Sequence, residues 1–308
     1  MLSVIIPAYN EEQMIPITSE RINSVLSEAS IPYEIIFVDD GSKDKTWSEI
    51  TDASQKKKNI RGVHFSRNFG KEAAMFAGLE NADGACAVII DCDLQHPPEK
   101  IVDMYRLWEE GYEVVEGIKD DRGRETKSHN FAASLFYKLI SRSTGFDMSN
   151  SSDFKLIDRK VIDTLNSLPE RGVFFRALSY WVGYKKTEVH YVVQERIAGE
   201  TKWGFKSLVR YALNNITSFS SAPLHIITIL GIVMLIVSCI LGIICLVQKI
   251  SGAALEGFTT VILIQLFGSS IVMISLGIIG YYISKIYEEV KGRPKYIVSE
   301  VCGKKVEK

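Results

Sequence analysis

Two long stretches near the end of the sequence, Pro223–Val247 and Phe258–Ile283, contain no Asp, Glu, Lys or Arg. As a helix, each stretch of about 25 residues would reach roughly 37 Å, which exceeds a hydrocarbon core of about 30 Å. A buried core helix is the alternative, but such helices rarely run this long without a charge. The two stretches therefore predict two membrane-spanning helices. Any globular domain must be formed by the residues before and after them.

The charges around the two stretches predict their orientation. The segment between them, 248–257, has a single basic residue, Lys249. The outer flanks hold many more: Lys202, Lys206, Arg210, Lys285, Lys291, Arg293, Lys295, Lys304, Lys305 and Lys308. Because basic residues favour the cytoplasmic side, we expect a cell-membrane protein with two spans, with both termini and the large first domain in the cytoplasm.

Two further features agree with a cytoplasmic domain. The first residues, MLSVIIPAYN, read as a strand without the basic region or cleavage site of a signal peptide, so insertion is expected to depend on the two spans. The five cysteines show no CxxC spacing, which favours a reducing compartment. The net charge of −1 gives no basic excess, and no nucleic-acid partner is expected.

Residues 1–218 alternate apolar runs with helical patterns and are expected to form one domain. Strands are predicted at 2–6, 34–38, 62–65 and 85–90, and helices at 11–29, 43–54 and 71–81. Pro7 is expected to end the first strand, and Asn10 to cap the first helix. This alternation predicts an α/β fold with a mostly parallel sheet, in which ligands bind beyond the carboxyl ends of the strands.

The later part of this domain is less regular. Residues 119–129 are polar and charged and are expected to form a loop. Segments near 130–142 and 205–218 are amphipathic, and each could pack on the sheet or lie on the membrane surface. Residues 219–285 are expected to form the two-helix membrane region, and 286–308 a cytoplasmic tail.

An acid pair follows the last of the predicted strands. Asp91 and Asp93 are two residues apart, so in a strand their side chains point the same way. Mg²⁺ or Mn²⁺ is typically held by one or two carboxylates, with substrate phosphates and water completing the shell. The pair is therefore predicted to hold a divalent metal on a nucleotide diphosphate. His96 is a candidate ligand, but a local hydrogen-bonding role is favoured.

A second acid pair, Asp39–Asp40, ends another predicted strand and precedes Gly41-Ser42. Such residues commonly form turns. An acid at this position of a nucleotide-binding sheet also bonds ribose hydroxyls or the base edge. The rest of the base pocket is expected to come from the neighbouring strand end: Pro7, Ala8, Tyr9 and Glu11.

Several motifs together resemble the inverting glycosyltransferases of family 2, and within it the branch that acts on polyprenyl phosphates. The motifs are VIIPAYNEE, VDDGSKDKT, FSRNFGKEAAMFAGL, DCDLQHPPE, SDFKLIDRKV, QERIAGETKW, ITSFSSAPL and GRPKY. Their order is similar to that of dolichol-phosphate mannose synthases and, more closely, bactoprenol glucosyltransferases. The resemblance covers essentially the whole chain.

This resemblance implies a GT-A fold, a nucleotide-sugar donor, Mg²⁺ or Mn²⁺, and a polyprenyl-monophosphate acceptor such as undecaprenyl phosphate. Carried onto this sequence, it implies that Asp91, Asp93 and Gln95 serve the metal and that Asp39 serves the nucleotide. UDP-glucose is the favoured donor, with N-acetylglucosamine and mannose donors as alternatives. Relatives also suggest a homo-oligomer such as a tetramer.

The resemblance names Asp153 as a base or as a stabiliser near the anomeric carbon, and Asp93 as its catalytic companion. The family commonly has Gly-Asp-Phe-Arg-Leu where this chain has Ser152-Asp153-Phe154-Lys155-Leu156. Lys155 lacks the two-pronged guanidinium of Arg, so a phosphate or carboxylate contact at this position is less secure.

Two anionic substrates must meet in such a reaction, so cations are needed to hold them. A phosphate monoester has a second pKa of about 6 and is mostly a dianion at neutral pH, so the acceptor gains little from a general base. Candidate contacts to the acceptor phosphate lie in the polar loop and before the first span: Arg122, Arg124, Lys127, Arg196 and Lys202. On the donor side, Arg67 and Lys71 are candidates, although both positions also suit the start of a helix.

Other classes of protein fit the sequence less well. A processive polysaccharide synthase would show a QxxRW motif and more spans, whereas residues 194–197 read QERI. A scaffold or flippase would have no need of two acidic strand ends. A nucleotidyltransferase would carry a glycine-rich phosphate loop near its N-terminus, and this chain has neither GxGxxG nor a P-loop.

Overall fold

A computed structural model describes residues 1–120, 151–170, 174–194, 222–251 and 257–303. The chain divides into two compact units. The first joins Met1–Leu208 with Pro294–Lys308, and the second is Val209–Arg293. The amphipathic segments predicted near 130–142 and 205–218 lie outside the described residues.

The first unit is built on an eight-stranded sheet in the order β7-β5-β6-β4-β1-β2-β3-β8. Its strands are β1 (Leu2–Ala8), β2 (Tyr33–Asp39), β3 (Ile60–Phe65), β4 (Cys86–Ile89), β5 (Val114–Lys119), β6 (Lys155–Asp158), β7 (Lys186–Tyr191) and β8 (Val298–Cys302). The helices in the described part of this unit are α1 (Met14–Glu28), α2 (Thr46–Lys56), α3 (Lys71–Asn81), α4 (Glu99–Glu109), α5 (Arg159–Ser167) and α6 (Phe175–Trp181).

Six of the eight strands run in one direction, which confirms the predicted α/β fold with a mostly parallel sheet. β3, β2, β1 and β4 pair in parallel, and β5 pairs in parallel with β7. β6 and β8 run the opposite way. The antiparallel pairing aligns Ile89 of β4 with Lys155 of β6. The residues just before β6 therefore lie at the same edge of the sheet as the residues just after β4.

The central strands β1 and β4 are mostly apolar because both of their faces are covered. All of β4 is buried, as are six of the seven residues of β1. Helix α3 lies so close to β1 that a Cβ atom on Gly78 would sit 2.2 Å from Ile5 Cγ2. Close packing of this kind fits a strand buried on both faces, and it holds the first turn of α3 near the carboxyl edge of the sheet.

Two details of the first loop differ from the sequence-based expectation. Pro7 does not end β1, which continues to Ala8 with Pro7 paired opposite Val38. The backbone of Pro7 faces the β4 side of β1, where pairing stops at Ile5–Ile89, so its missing N–H leaves no gap in the ladder. Asn10 does not cap α1. It takes a positive φ of 53° in the turn, and α1 begins at Met14.

Strand β8 gives part of the expected C-terminal tail a place in the sheet. It pairs antiparallel with β3, with Val301 opposite Val63. The ring of Tyr296 stacks on Phe65 with centroids 4.8 Å apart. These contacts join residues after the second apolar stretch to the sheet formed by residues before the first.

In its described part, the second unit contains two helices, α7 (Ala222–Ile250) and α8 (Phe258–Val290). Among the described residues, one helical segment, Ile264–Val290, is long and apolar enough to cross a membrane. A shorter apolar segment lies within α7 at Ile229–Leu241. The second span therefore stays a prediction.

Candidate active site

Acidic residues from three parts of the chain meet at the carboxyl edge of the sheet. Asp39 is the last residue of β2, and Asp91 follows β4. Asp153 lies just before β6. Strands β4 and β6 pair antiparallel with Ile89 opposite Lys155, and extending this register by two residues puts Asp91 opposite Asp153. The reversed direction of β6 thus brings together two carboxylates that lie 62 positions apart in the sequence.

Lys71 lies between these two carboxylates. Its Nζ is 2.6 Å from Asp91 Oδ1 and 3.0 Å from Asp153 Oδ2. Burial opposes the charged form of Lys71, but the charges of Asp153 and Asp91 outweigh it and raise its pKa above the ordinary value. Burial likewise opposes ionisation of Asp91, whose pKa nevertheless lies below its ordinary value because of Lys71. The three groups form a charged cluster at neutral pH.

Arg176 holds Asp153 from the other side. Its Nε donates to Asp153 Oδ1 over 2.7 Å, and its Nη2 donates to Oδ2 over 2.9 Å. Burial of Asp153 works against its charge, but Arg176 and Lys71 hold its pKa well below the usual range. Sequence reasoning did not single out Arg176. The available signal was one cation inside the apolar run Phe174-Phe175-Arg176-Ala177-Leu178.

Glu72 also belongs to this cluster and was not anticipated. Its Oε2 accepts a hydrogen bond from the backbone N–H of Phe175, 2.8 Å away, at the start of α6. Burial and the neighbouring charge of Asp153 raise the pKa of Glu72 to about 7. Glu72 therefore ties α3 to α6 and changes its charge close to neutral pH.

The predicted metal pair lies in a constrained loop. Asp93 Oδ1 accepts from the backbone N–H of Gln95 over 3.1 Å, and Leu94 between them has a positive φ of 56°. Strain of this kind is common at functional sites. The Gln95 carbonyl accepts from the backbone N–H of Gln194, also over 3.1 Å. The loop is thus tied to the residues after β7.

The donor set suits a metal that is shared with a substrate. Within the described parts of the chain, no group of three or more His, Cys, Asp or Glu side chains forms a protein-only metal cage. Mg²⁺ usually takes one or two carboxylates and completes its shell with phosphates and water. Two half-buried carboxylates, Asp91 and Asp93, fit that requirement.

His96 makes ring contacts in the structure, and the hydrogen-bonding role favoured for it stays a prediction. Its ring stacks on Phe154 with centroids 4.9 Å apart and meets Tyr191 edge-on at 5.5 Å. Its buried Nδ1 has no hydrogen-bond partner among the described residues. Burial also lowers the pKa of His96. The ring therefore packs as an uncharged group beneath the metal loop.

The two acids at the end of β2 face different parts of the structure. Asp39 is fully buried and accepts from Ser42 N over 3.0 Å, while its Oδ2 lies 2.8 Å from His64 Nδ1. Asp40 accepts from the backbone N–H groups of Phe69 and Gly70 at 2.6 and 2.9 Å. Burial raises the pKa of Asp40 to about 6, although these hydrogen bonds lower it. Asp40 thus shapes the loop before α3.

The loop after β1 is joined to the loop after β2. Backbone N–H groups of Asn10 and Glu11 donate to Ser42 Oγ and Thr46 Oγ1, each over 2.8 Å. The predicted base-pocket residues Pro7, Tyr9 and Glu11 are half-buried on this first loop. Arg67 is exposed, with its guanidinium 4.1 Å above the ring of Phe69. The predicted nucleotide residues therefore lie on adjacent loops of one edge.

Lys155 occupies the interior instead of a substrate-facing position. It is fully buried, and its Nζ lies 3.1 Å from Glu116 Oε1. The sequence left it open whether Lys155 contacts a carboxylate. In the structure it does so within the protein, at Glu116. The predicted acceptor-phosphate residues lie outside the described residues: Arg122, Arg124, Lys127, Arg196 and Lys202.

A mostly parallel α/β sheet with paired carboxylates at its carboxyl edge is a GT-A-like arrangement. Residues 3–165 match glycosyl transferase family 2. An uncharacterized glycosyltransferase of Synechocystis is 41% identical over 304 residues, covering 98% of this chain and 96% of its own. The bactoprenol glucosyl transferase of Shigella phage SfII is 36% identical over 301 residues, covering 97% of each chain. The chain belongs to glycosyltransferase family 2.

A solved structure supports the fold independently. The crystal structure of a mycobacterial protein matches 70% of this chain and 72% of its own with a TM-score of 0.52. The two sequences are 19% identical, so the likeness concerns the fold alone.

Proposed function

We propose that the protein transfers glucose from a nucleotide diphosphate sugar, with UDP-glucose favoured, to a polyprenyl phosphate such as undecaprenyl phosphate. The observation that carries this proposal is the cluster of Asp91, Lys71 and Asp153 at the carboxyl edge of a family 2 glycosyltransferase. The name of the phage relative, a bactoprenol glucosyl transferase, supports both the sugar and the lipid class.

The donor is proposed to bind across the carboxyl edge, with its base toward Asp39 and its diphosphate toward the metal loop. Asp91 and Asp93 would hold Mg²⁺ or Mn²⁺, with Gln95 beside them. When bound, such an ion neutralises the diphosphate and makes it a better leaving group. Lys71 adds a further fixed positive charge at 2.6 Å from Asp91.

Asp153 is proposed to act as a fixed anion beside the anomeric carbon and not as a general base. Arg176 and Lys71 keep its pKa well below the usual range, so it is a poor proton acceptor at neutral pH. The acceptor phosphate is already a dianion and has little need of a base. A carboxylate aimed at an oxocarbenium-like centre stabilises the positive charge that develops there. Direct displacement then inverts the anomeric centre.

The acceptor would be held by cations near the membrane, for which Arg122, Arg124, Lys127, Arg196 and Lys202 stay the candidates. Strand β8 supports the proposal of two spans. The chain leaves the first unit before α7 and rejoins its sheet after α8, as an even number of membrane crossings would require.

The function is tested by a transfer assay with purified full-length protein, undecaprenyl phosphate and three radiolabelled donors: UDP-glucose, UDP-N-acetylglucosamine and GDP-mannose. We expect a lipid product from UDP-glucose only, with its loss in EDTA and recovery on adding Mn²⁺. Undecaprenol, which lacks the phosphate, serves as the matched control acceptor and should yield no product. Absence of transfer from all three donors would refute the proposal, and full activity in EDTA would refute the metal.

The topology is tested by cysteine labelling in sealed vesicles. A cysteine placed at Ser251, between α7 and α8, should react with a membrane-impermeant maleimide from the outer face. A cysteine placed at Ser299, in β8, should react only after the vesicles are opened, in a background with the native cysteines replaced. Equal reactivity of the two positions in sealed vesicles would contradict two spans.

A further inference from the structure

A fully buried ion pair lies directly behind the carboxylate cluster. Lys155 is 0% exposed and Glu116 is 2% exposed, and their charged atoms are 3.1 Å apart. The Lys155 ammonium also lies 4.5 Å from the centre of the Tyr180 ring, and Tyr180 donates its hydroxyl hydrogen to Glu116 Oε2. Both side chains are too deeply buried to contact a substrate, so substrate binding does not explain why this pair is charged.

One set of contacts from this pair reaches the residues that precede Asp153. Glu116 Oε1 accepts from the backbone N–H of Ser152 over 3.0 Å. The Lys155 ammonium donates to Ser151 Oγ over 3.4 Å. Two consecutive residues before Asp153 are therefore anchored to the pair.

A second set of contacts reaches the helix that carries Arg176. The Lys155 ammonium donates to Ser179 Oγ over 2.7 Å, and the same hydroxyl donates to the carbonyl of Arg176 over 2.9 Å. Asp153 precedes β6 and Arg176 lies on α6. Lys155 contacts the segment that carries each of them.

We propose that Glu116 and Lys155 are positioning residues for sugar transfer: together they set the geometry of Asp153 and Arg176 at the anomeric carbon. This inference rests on the function proposed above. A buried ion pair is weak as a source of stability, since its desolvation offsets much of its attraction. Burial accordingly lowers the pKa of Lys155 to about 8, although Glu116 opposes the shift. The pair holds the residues before β6 and helix α6 in a fixed position relative to each other. Two apolar side chains of the same size could not fill this role.

The test compares Lys155→Met and Glu116→Gln with the wild type in donor saturation curves. Lys155→Met removes the ammonium but fills a similar volume, and we expect its kcat to fall about 30-fold while KM for the donor stays within about threefold. Glu116→Gln keeps one acceptor oxygen for the Ser152 N–H, and its amide nitrogen can donate to the Tyr180 oxygen in place of the lost acceptor, so a smaller loss of kcat, about tenfold, is expected. Should Lys155→Met fail to fold, the milder Glu116→Gln still decides the outcome.

Glu34→Gln provides the matched control. Glu34 is equally buried and pairs with Arg61 at 3.0 Å, but it lies near the start of β2, at the opposite edge of the sheet. We expect this variant to melt at a lower temperature and to keep its kcat within about twofold. Wild-type kcat in either test variant, a loss confined to KM, or an equal loss of kcat in Glu34→Gln would overturn the positioning role. An inactive wild type would count instead against the proposed function.

Discussion

Lys71 and Asp153 form a 3.0 Å ion pair that joins the first turn of α3 to the residues before β6. The same ammonium lies 2.6 Å from Asp91, so one cation balances two carboxylates from neighbouring strand ends. Removing the cation leaves two anions close together, with Arg176 as the remaining cation that pairs with Asp153 among the described residues. This arrangement makes Lys71 the residue on which the charge of the site most depends.

The Lys71→Met variant should lose transfer activity by at least about 100-fold, because a fixed charge at the reacting groups is lost. Its melting temperature should fall, and Mn²⁺ should raise that temperature more in the variant than in the wild type, since the ion supplies the missing charge. Thermal melting with and without Mn²⁺ measures both effects. The control is Lys100→Met, which removes a surface pair with Asp103 at 2.9 Å and should change neither quantity. An identical Mn²⁺ response in Lys71→Met and wild type would contradict this account.

Asp93→Asn should abolish turnover and leave the fold intact. The amide keeps an oxygen that can accept from the Gln95 N–H, so the loop geometry is preserved while the charge for the metal is lost. The radiolabelled transfer assay and a thermal melt test the two halves of the prediction. Wild-type activity in this variant would disprove the metal assignment of Asp93.

Glu72 predicts a dependence of stability on pH. Its pKa is raised from 4.5 to about 7 in the folded protein. Between these values the folded state binds the extra proton, so this group lowers stability as pH rises from about 4.5 to 7. Glu72→Gln should therefore be more stable than the wild type at pH 8, by at most about 3 kcal/mol, and similar to it at pH 4.5. Melting temperatures across this range decide the point, and a difference that shrinks as pH rises would show the sign to be wrong.

Tyr296 predicts how firmly β8 is attached. Tyr296→Ala removes the ring stacked on Phe65 and should cost about 1–2 kcal/mol, because the ring is only half-buried. Tyr296→Phe keeps the ring and loses only the hydroxyl bond to Glu80, and should cost less than about 1 kcal/mol. Hydrogen exchange of the β3 amides should accelerate in the Ala variant alone. Equal exchange in both variants would mean that the ring does not hold the strand.

The parts of the fold that local pattern controls could be predicted from the sequence. Helix α3 occupies the predicted residues, 71–81, and β4 lies within the predicted 85–90, because helical periodicity and an apolar run are both local signals. The acid pair after β4 could be placed at the carboxyl edge for the same reason. Pro7 and Asn10 were misjudged because their conformations depend on pairing with β2 and β4, which a local pattern does not reveal.

The rest of the site could not be read from the sequence because distant segments supply it. Arg176 reaches Asp153 from α6, and Phe175 reaches Glu72 from 103 residues away. The approach of Arg176 to Asp153 depends on how α6 packs in the folded unit. The spacing of residues in the sequence does not predict that packing. The interior position of Lys155 on β6 follows from its pairing opposite Glu116 on the preceding strand, β5, which is distant in the sequence and adjacent in the sheet.

Strand β8 also sets an order of events during synthesis. The ribosome produces β3 early, but the strand that covers its outer side emerges only after both apolar helices have been made. Until then the nascent sheet presents an open edge that can pair with other chains. Completion of the first unit therefore waits for the hydrophobic segments to leave the ribosome, and a delay at that stage would expose a strand prone to aggregation.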